Sequence, residues 1–179
     1  KKNQVPWNYI SWSKAKENAQ NMYKLENTNN HVQSTLITDR MWETAMQWLE
    51  KAPLNLDVTS DSKNWGNYDN APVTGITEYS TDYGVNWLPN NENNAKKTNI
   101  SWLLKTGHTD YTSKKHIYDL AGNLWEWINA KYSSSYSAYV IRGGLCSSND
   151  GTNYPAAYRG GNSGAGYSSI SFRMGLFVQ

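Results

Sequence analysis

Residues 119–127 read Asp119-Leu120-Ala121-Gly122-Asn123-Leu124-Trp125-Glu126-Trp127, and this stretch decides the fold. Gly122-Asn123 reads as a turn, both being residue types that turns favour. The turn feeds a strand in which Trp125 and Trp127 fall on one face and Glu126 on the other, by period-two alternation. Downstream, residues 139–144 read as a further strand closed by Gly143 and Gly144, and residues 172–178 as a buried terminal strand. Between these pieces, residues 145–171 are nearly all Ser, Gly, Asn, Ala and Tyr, which makes them either filler or a working surface.

Working back toward the N-terminus, residues 5–10 read as a short strand or an extended entry. A helix follows, with Ser13 as its expected cap and Trp12, Ala15, Ala19, Met22 and Tyr23 on one face. Residues 27–30, rich in Asn, break it. After a short strand over 32–37, Thr38 caps a second helix, with Asp39 in the first turn, where the helix dipole favours a negative charge. Met41, Trp42, Ala45, Trp48, Leu49 and Ala52 form its expected core face, and Pro53 ends it. From 54 to 112 no period survives. Trp65, Tyr68, Trp87 and Trp102 read there as anchors pinning a long irregular excursion that holds very short strands or helices at most.

Composition narrows the function. The chain has 179 residues, enough for one domain or one domain with a large excursion. Its hydrophobic content is only 38%, but 9 Trp and 13 Tyr supply much of the missing core volume. A net charge of +2 with dispersed signs gives no basic stripe and therefore no nucleic-acid footprint. No apolar run approaches the ~20 residues of a membrane span. Lys1 is not a natural start, so the chain reads as part of a longer protein. The single cysteine, Cys146, excludes an intrachain disulfide and a cysteine zinc cluster.

The chemistry-bearing residues are sparse. His31, His108 and His116 lack zinc-ligand spacing, and no nucleophile elbow, phosphate loop or dinucleotide fingerprint occurs. Gly160-Gly161-Asn162-Ser163-Gly164 has no following lysine. Glu126 lacks an evident partner carboxylate and reads as structural, holding backbone N–H groups or an arginine such as Arg142 or Arg173, where a pair would be bidentate. Cys146 has no local base to lower its pKa. By contrast, 145–171 offers Tyr154, Tyr158 and Tyr167 as rigid amphipathic area among small adaptable polar residues, the composition of antibody paratopes.

The motifs "YDLAGNLWEW" (118–127), "IRGG" (141–144) and "SFR" (171–173), in that order, resemble the C-terminal signature of the formylglycine-generating-enzyme (sulfatase-modifying factor) type of C-type lectin fold. "VPWNYISWSKAKENAQ" and "ITDRMWETAMQWL" resemble that family's two helices. The implied fold is α+β: two helices on small twisted antiparallel sheets, with long irregular loops, in a single domain over 1–179. One branch of the family binds copper through a cysteine pair after the Gly-Gly and oxidises a substrate cysteine. This chain has only Cys146, so an oxidase is the weaker alternative; a carbohydrate-binding module using exposed tryptophans is another. The related iron enzymes that form sulfoxides need a histidine-rich site, and these histidines do not cluster.

The other branch is the variable protein of diversity-generating retroelements, in which the segment between Arg-Gly-Gly and the terminal Phe-Arg is hypervariable. That resemblance implies a non-catalytic receptor-binding or adhesion domain with residues 145–171 as its diversified face. The ligand-binding residues it implies are Leu145, Cys146, Ser147, Asn149, Asn153, Tyr154, Tyr158, Gly160, Asn162, Ala165, Tyr167, Ser168 and Ser169. It further implies a protein or glycan ligand on a target cell and a location on a phage tail tip or a bacterial surface. No cofactor is expected, although loop Asp and Asn oxygens would suit a structural calcium. The reading expects Leu145 and Cys146 to be exposed. It also expects Trp125, Trp127 and Phe172 to be buried, Trp42 and Trp48 to pack from the second helix, and the insert's tyrosines to stay exposed.

Overall fold

The computed structural model describes residues 2–24, 31–91, 95–96, 99–133, 138–147 and 151–178. The elements in order are α1 (Trp12–Met22), β1 (Val32–Leu36), α2 (Asp39–Glu50), β2 (Glu78–Tyr79), β3 (Leu88–Pro89), β4 (Ser113–Lys114), β5 (Ile117–Tyr118), β6 (Trp125–Lys131), β7 (Tyr139–Arg142), β8 (Arg159–Asn162), β9 (Ile170–Phe172) and β10 (Met174–Val178). The chain forms two compact units. One comprises residues 1–6, 46–125 and 143–158, and the other 7–45, 126–142 and 159–179. The breaker predicted at 27–30 lies outside the described residues.

The two-residue strands β2 to β5 lie in the first unit, while the second holds α1, the first half of α2 and the longer strands. Its four-stranded sheet has the order β8-β7-β6-β9, and β1 pairs antiparallel with β10 in a separate ribbon. In α1, Ala15 and Ala19 are fully buried while Met22 and Tyr23 are exposed. Its cap is Ser11, which accepts from the Lys14 amide, and not the expected Ser13. Thr38 caps α2 as expected, accepting from the Met41 amide at 3.2 Å.

The α2 face needs correction. Trp42, Met46 and Leu49 are buried, but Trp48 is 53% exposed. Trp48 lies six residues after Trp42, about 240° around the helix, while i+4 and i+7 stay under Trp42. The Lys115 ammonium sits over the Trp48 ring at 4.3 Å. Phe172 is only half-buried, with the exposed Trp7 packed edge-on at 5.6 Å as its cover. The terminal stretch is not one buried strand. It breaks at Arg173, and β10 belongs to a two-stranded ribbon that leaves Leu176 and Val178 exposed.

Ion pairs brace this unit. Arg173 holds the buried Glu126 through both carboxylate oxygens at 2.5 Å, the bidentate geometry anticipated for Glu126. Arg142 is 4% exposed and pairs with Asp39 and Glu43 at 2.9 and 2.6 Å. Arg159 reaches the other oxygen of Asp39 at 3.2 Å. Burial acts against the Asp39 carboxylate, but the Arg159 and Arg142 hydrogen bonds and charges outweigh it and hold its pKa below the ordinary value.

The first unit is mostly loop, and its hub is the turn named at the outset. Gly122 and Asn123 both adopt positive φ (69° and 65°). A Cβ at Gly122 would stand 2.2 Å from the Asn67 carbonyl oxygen, so only glycine fits. The buried Asn123 side chain accepts from the Leu104 amide (2.9 Å) and from Asn67 (2.9 Å), and donates to the Leu104 carbonyl (3.0 Å). A buried amide with all these partners fixes the loops around it. Trp65, Tyr68 and Trp102 are buried anchors, as expected, and Trp87 is half-buried.

Candidate functional site

The segment 145–171 contributes to both units, and each part stands on its own. In the first unit its backbone is tied to residues outside it. Tyr68, fully buried, shares its single hydroxyl hydrogen between the carbonyls of Tyr154 (2.8 Å) and Gly143 (3.2 Å). The Gly143 carbonyl also accepts from the Gly122 amide. Gly144 lies against the Tyr68 ring, where a Cβ would come within 2.7 Å. The buried Ser62 hydroxyl accepts from the Ala156 amide (3.0 Å), the Ser62 amide donates to the Gly151 carbonyl, and the Ala157 amide donates to the Val58 carbonyl. Sequence reasoning missed Ser62 entirely and saw Tyr68 only as an anchor. A lone Ser in a polar loop carries no signal.

On this fixed backbone the side chains divide. Asn153 is exposed, and Leu145, Ser147, Tyr154 and Tyr158 are half-buried. Tyr154 and Tyr158 form a cluster with Trp125, with ring centroids 5.4 Å from the indole in both cases and 4.9 Å from one another. Trp125 is therefore half-buried beneath the tyrosines rather than sunk in the core, and the two tyrosines are less exposed than expected. The Ser147 hydroxyl meets that of Tyr83 at 3.2 Å. Asn149 lies outside the described residues.

Cys146 is the clear correction. It was expected at the surface and is 2% exposed, clustered with Leu103 and Leu124. Its amide donates to the Asn123 carbonyl at 3.0 Å, so the hub turn itself draws it inward, and Leu145 packs against the same cluster. Burial pushes the thiol up to about 12, against the opposing charge of Lys96. Lys96 is buried too and is pushed down to about 8 by desolvation, while its ammonium donates to Asn67 and to the Tyr68 carbonyl. A copper centre of the cysteine-pair kind does not fit these residues. The chain has one thiol, it stays protonated at neutral pH, and no group of three His, Cys, Asp or Glu is placed to hold a metal among the described residues.

In the second unit, 159–162 form β8, which pairs with β7 in the register Tyr139↔Asn162 to Arg142↔Arg159. The segment therefore supplies a sheet strand, which its Gly-Gly-Asn sequence had concealed. Gly160 is buried in that strand, while Asn162, Ser168 and Ser169 are half-buried and Ala165 and Tyr167 exposed. Residues 164–168 run along the N-terminal segment: the Tyr9 amide donates to the Tyr167 carbonyl, the Trp12 amide to the Gly164 carbonyl, and the Asn8 side chain to the Ser168 carbonyl (2.7 Å).

Two helices, small antiparallel sheets, a buried Gly-Asn hub and an Arg-Gly-Gly corner define an α+β domain with the C-type lectin fold of the formylglycine-generating-enzyme type. The chain belongs to the sulfatase-modifying factor enzyme 1-like domain family, which it matches over residues 1–175. Among solved structures it is similar to the crystal structure of CarF, with a TM-score of 0.61 and 17% identity over 96% of this chain and 67% of that one. It is also similar to Treponema denticola variable protein 1, with a TM-score of 0.51 and 16% identity over 96% of this chain and 70% of that one. At these identities the likeness is one of fold. No curated protein matches the chain.

Proposed function

We propose that the chain is a non-catalytic ligand-binding domain of the diversity-generating-retroelement type, presenting residues 145–171 as its diversified face. The observation that carries this reading is how the segment is held. Its backbone is bonded to groups outside it (Tyr68, Ser62, Val58, β7 and the 8–12 segment), so its conformation depends little on its own side chains. Its side chains at Ser147, Asn153, Tyr154, Tyr158, Asn162, Ala165, Tyr167, Ser168 and Ser169 keep solvent access. A surface can vary only where the fold does not read it, and this arrangement separates the two at the exposed positions, whereas Tyr154 and Tyr158 also pack on Trp125. The likeness to a variable protein supports the same reading. A protein or glycan on a target cell is the ligand class, with display on a phage tail tip or bacterial surface. Cys146 and Gly160 serve the scaffold, not the face, because both are buried.

The oxidase alternative is disfavoured by the single protonated thiol. The test is a library randomised at Ser147, Asn153, Asn162, Ala165 and Tyr167. Most variants should melt within a few degrees of the parent, since exposed substitutions stay near ±0.5 kcal/mol, and selection on a protein or glycan target should return binders. Unfolding of most variants would show that the segment is core and would end this reading.

A further inference from the structure

A second concave site lies in the unit formed by 7–45, 126–142 and 159–179. A groove of about 430 Å³ is lined by Trp7, Tyr9, Ile10, Ser11, Lys14 and Asn18, with Gly166 at its edge. Its volume falls within the ~300–1,000 Å³ of small-ligand sites. Its two aromatic rings face solvent, Trp7 at 57% and Tyr9 at 62% exposure, the opposite of what large rings do when they only fill a core.

The Trp7 ring and the Tyr9 backbone are held in place. Trp7 is braced edge-on by Phe172 at 5.6 Å. Tyr9 has φ +55°, a left-handed backbone that is unusual for a bulky residue. Its amide is tied to the Tyr167 carbonyl, and Gly166 has no room for a Cβ against the Tyr9 carbonyl oxygen (2.5 Å). These ties fix the Tyr9 backbone and so the direction in which its side chain leaves the chain.

The polar rim narrows the ligand. Lys14 is the groove's charged group, and it is ion-paired with Glu17 at 2.8 Å, so the site carries little net charge. Asn18 donates its amide to the Lys14 carbonyl, and an asparagine side chain also carries a carbonyl acceptor. The Ser11 hydroxyl and the Lys14 ammonium add donors. An apolar ring face beside mixed donors and acceptors, with neutral net charge, matches a pyranose. Its C–H face stacks on an indole or phenol, and its hydroxyls both give and accept hydrogen bonds. A carboxylated sugar would have to compete with Glu17 for Lys14.

We infer that this groove is a binding site for a neutral saccharide, with Trp7 and Tyr9 as stacking platforms and Ser11, Lys14 and Asn18 as hydroxyl partners. It uses residues outside 145–171 apart from Gly166, so it stands whether or not that segment varies.

The test is calorimetric titration of the whole chain with maltotriose, cellotriose, N-acetylchitotriose and lactose, with trigalacturonate as the charged comparison. At least one neutral sugar should bind with a dissociation constant of ~1 mM or tighter, about −4 kcal/mol, and more tightly than trigalacturonate. Trp7→Ala and Asn18→Ala should each weaken binding tenfold or more, while Trp48→Ala, an exposed indole elsewhere, should leave it unchanged. Because Trp7 also packs on Phe172, Tyr9→Gly is the fold-safe variant: glycine suits the positive φ, so melting should hold or rise while affinity falls tenfold. Binding by none of the four neutral sugars overturns the proposal, as does binding that survives Tyr9→Gly and Asn18→Ala.

Discussion

Removing one oxygen from Tyr68 tests how the insert is held. In Tyr68→Phe the ring stays between Gly66 and Gly144, so no cavity opens and the change is confined to the hydroxyl. That hydroxyl serves two carbonyls. The Gly143 oxygen keeps the Gly122 amide as a second donor, whereas the Tyr154 oxygen loses its 2.8 Å bond. A buried neutral hydrogen bond contributes about 1 kcal/mol net, and an under-satisfied carbonyl adds to the loss, giving about 1–2 kcal/mol. Urea unfolding followed by tryptophan emission should show a lower midpoint with an unchanged slope. Hydrogen exchange should quicken at amides of 151–158 while those of β7 and β8 hold. A stability loss under about 0.3 kcal/mol with unaltered exchange would show that Tyr68 does not tie down the segment.

Three further outcomes follow from the same structure. Trp42→Ala should cost about 3–5 kcal/mol as a core truncation, and Trp48→Ala no more than about 1 kcal/mol from its cation–π contact with Lys115; chemical denaturation separates the two. The Cys146 thiol, pushed up to about 12, should resist a thiol reagent at neutral pH and react on unfolding. Because its folded pKa lies above the unfolded one, its contribution is full below the unfolded value and fades as pH rises toward 12. Asp39 has the reverse sign: its folded pKa is depressed, so its stabilisation is present above the ordinary value of 3.8 and is lost as pH falls through the folded value. Melting on acidification should therefore drop more steeply in the parent than in Asp39→Asn.

The parts of this fold that were legible are those where sequence dictates backbone directly. Gly122-Asn123 announced a turn, which proves left-handed, Thr38 a helix cap, and Glu126 a structural role that Arg173 fills. What was not legible depends on which surface meets which. Trp48 and Trp42 look alike in sequence, and only the angle around α2 distinguishes the exposed one. Cys146 read as a surface residue because the resemblance puts it on the variable face, yet a backbone bond to Asn123 turns it inward. β8 was hidden because Arg-Gly-Gly-Asn has no strand propensity, and its pairing with β7 supplies the order instead. The tyrosines of the insert were expected to be free of the fold. Tyr154 and Tyr158 instead share a cluster with Trp125, and such contacts contribute about 0.5–1.5 kcal/mol each, so replacing either should cost stability as well as affinity.

The central claim is that selection varies residues 145–171 while the rest of the chain holds them still. Sequencing the 3′ end of the gene across a population, beside any nearby imperfect repeat of it, tests this most directly. The account predicts substitutions concentrated at codons for solvent-reaching positions such as Asn153, Asn162, Ala165 and Tyr167, matching adenines in the repeat, with Gly144, Gly160 and Arg173 unchanged. Absence of a repeat together with substitutions spread evenly over the domain would contradict it.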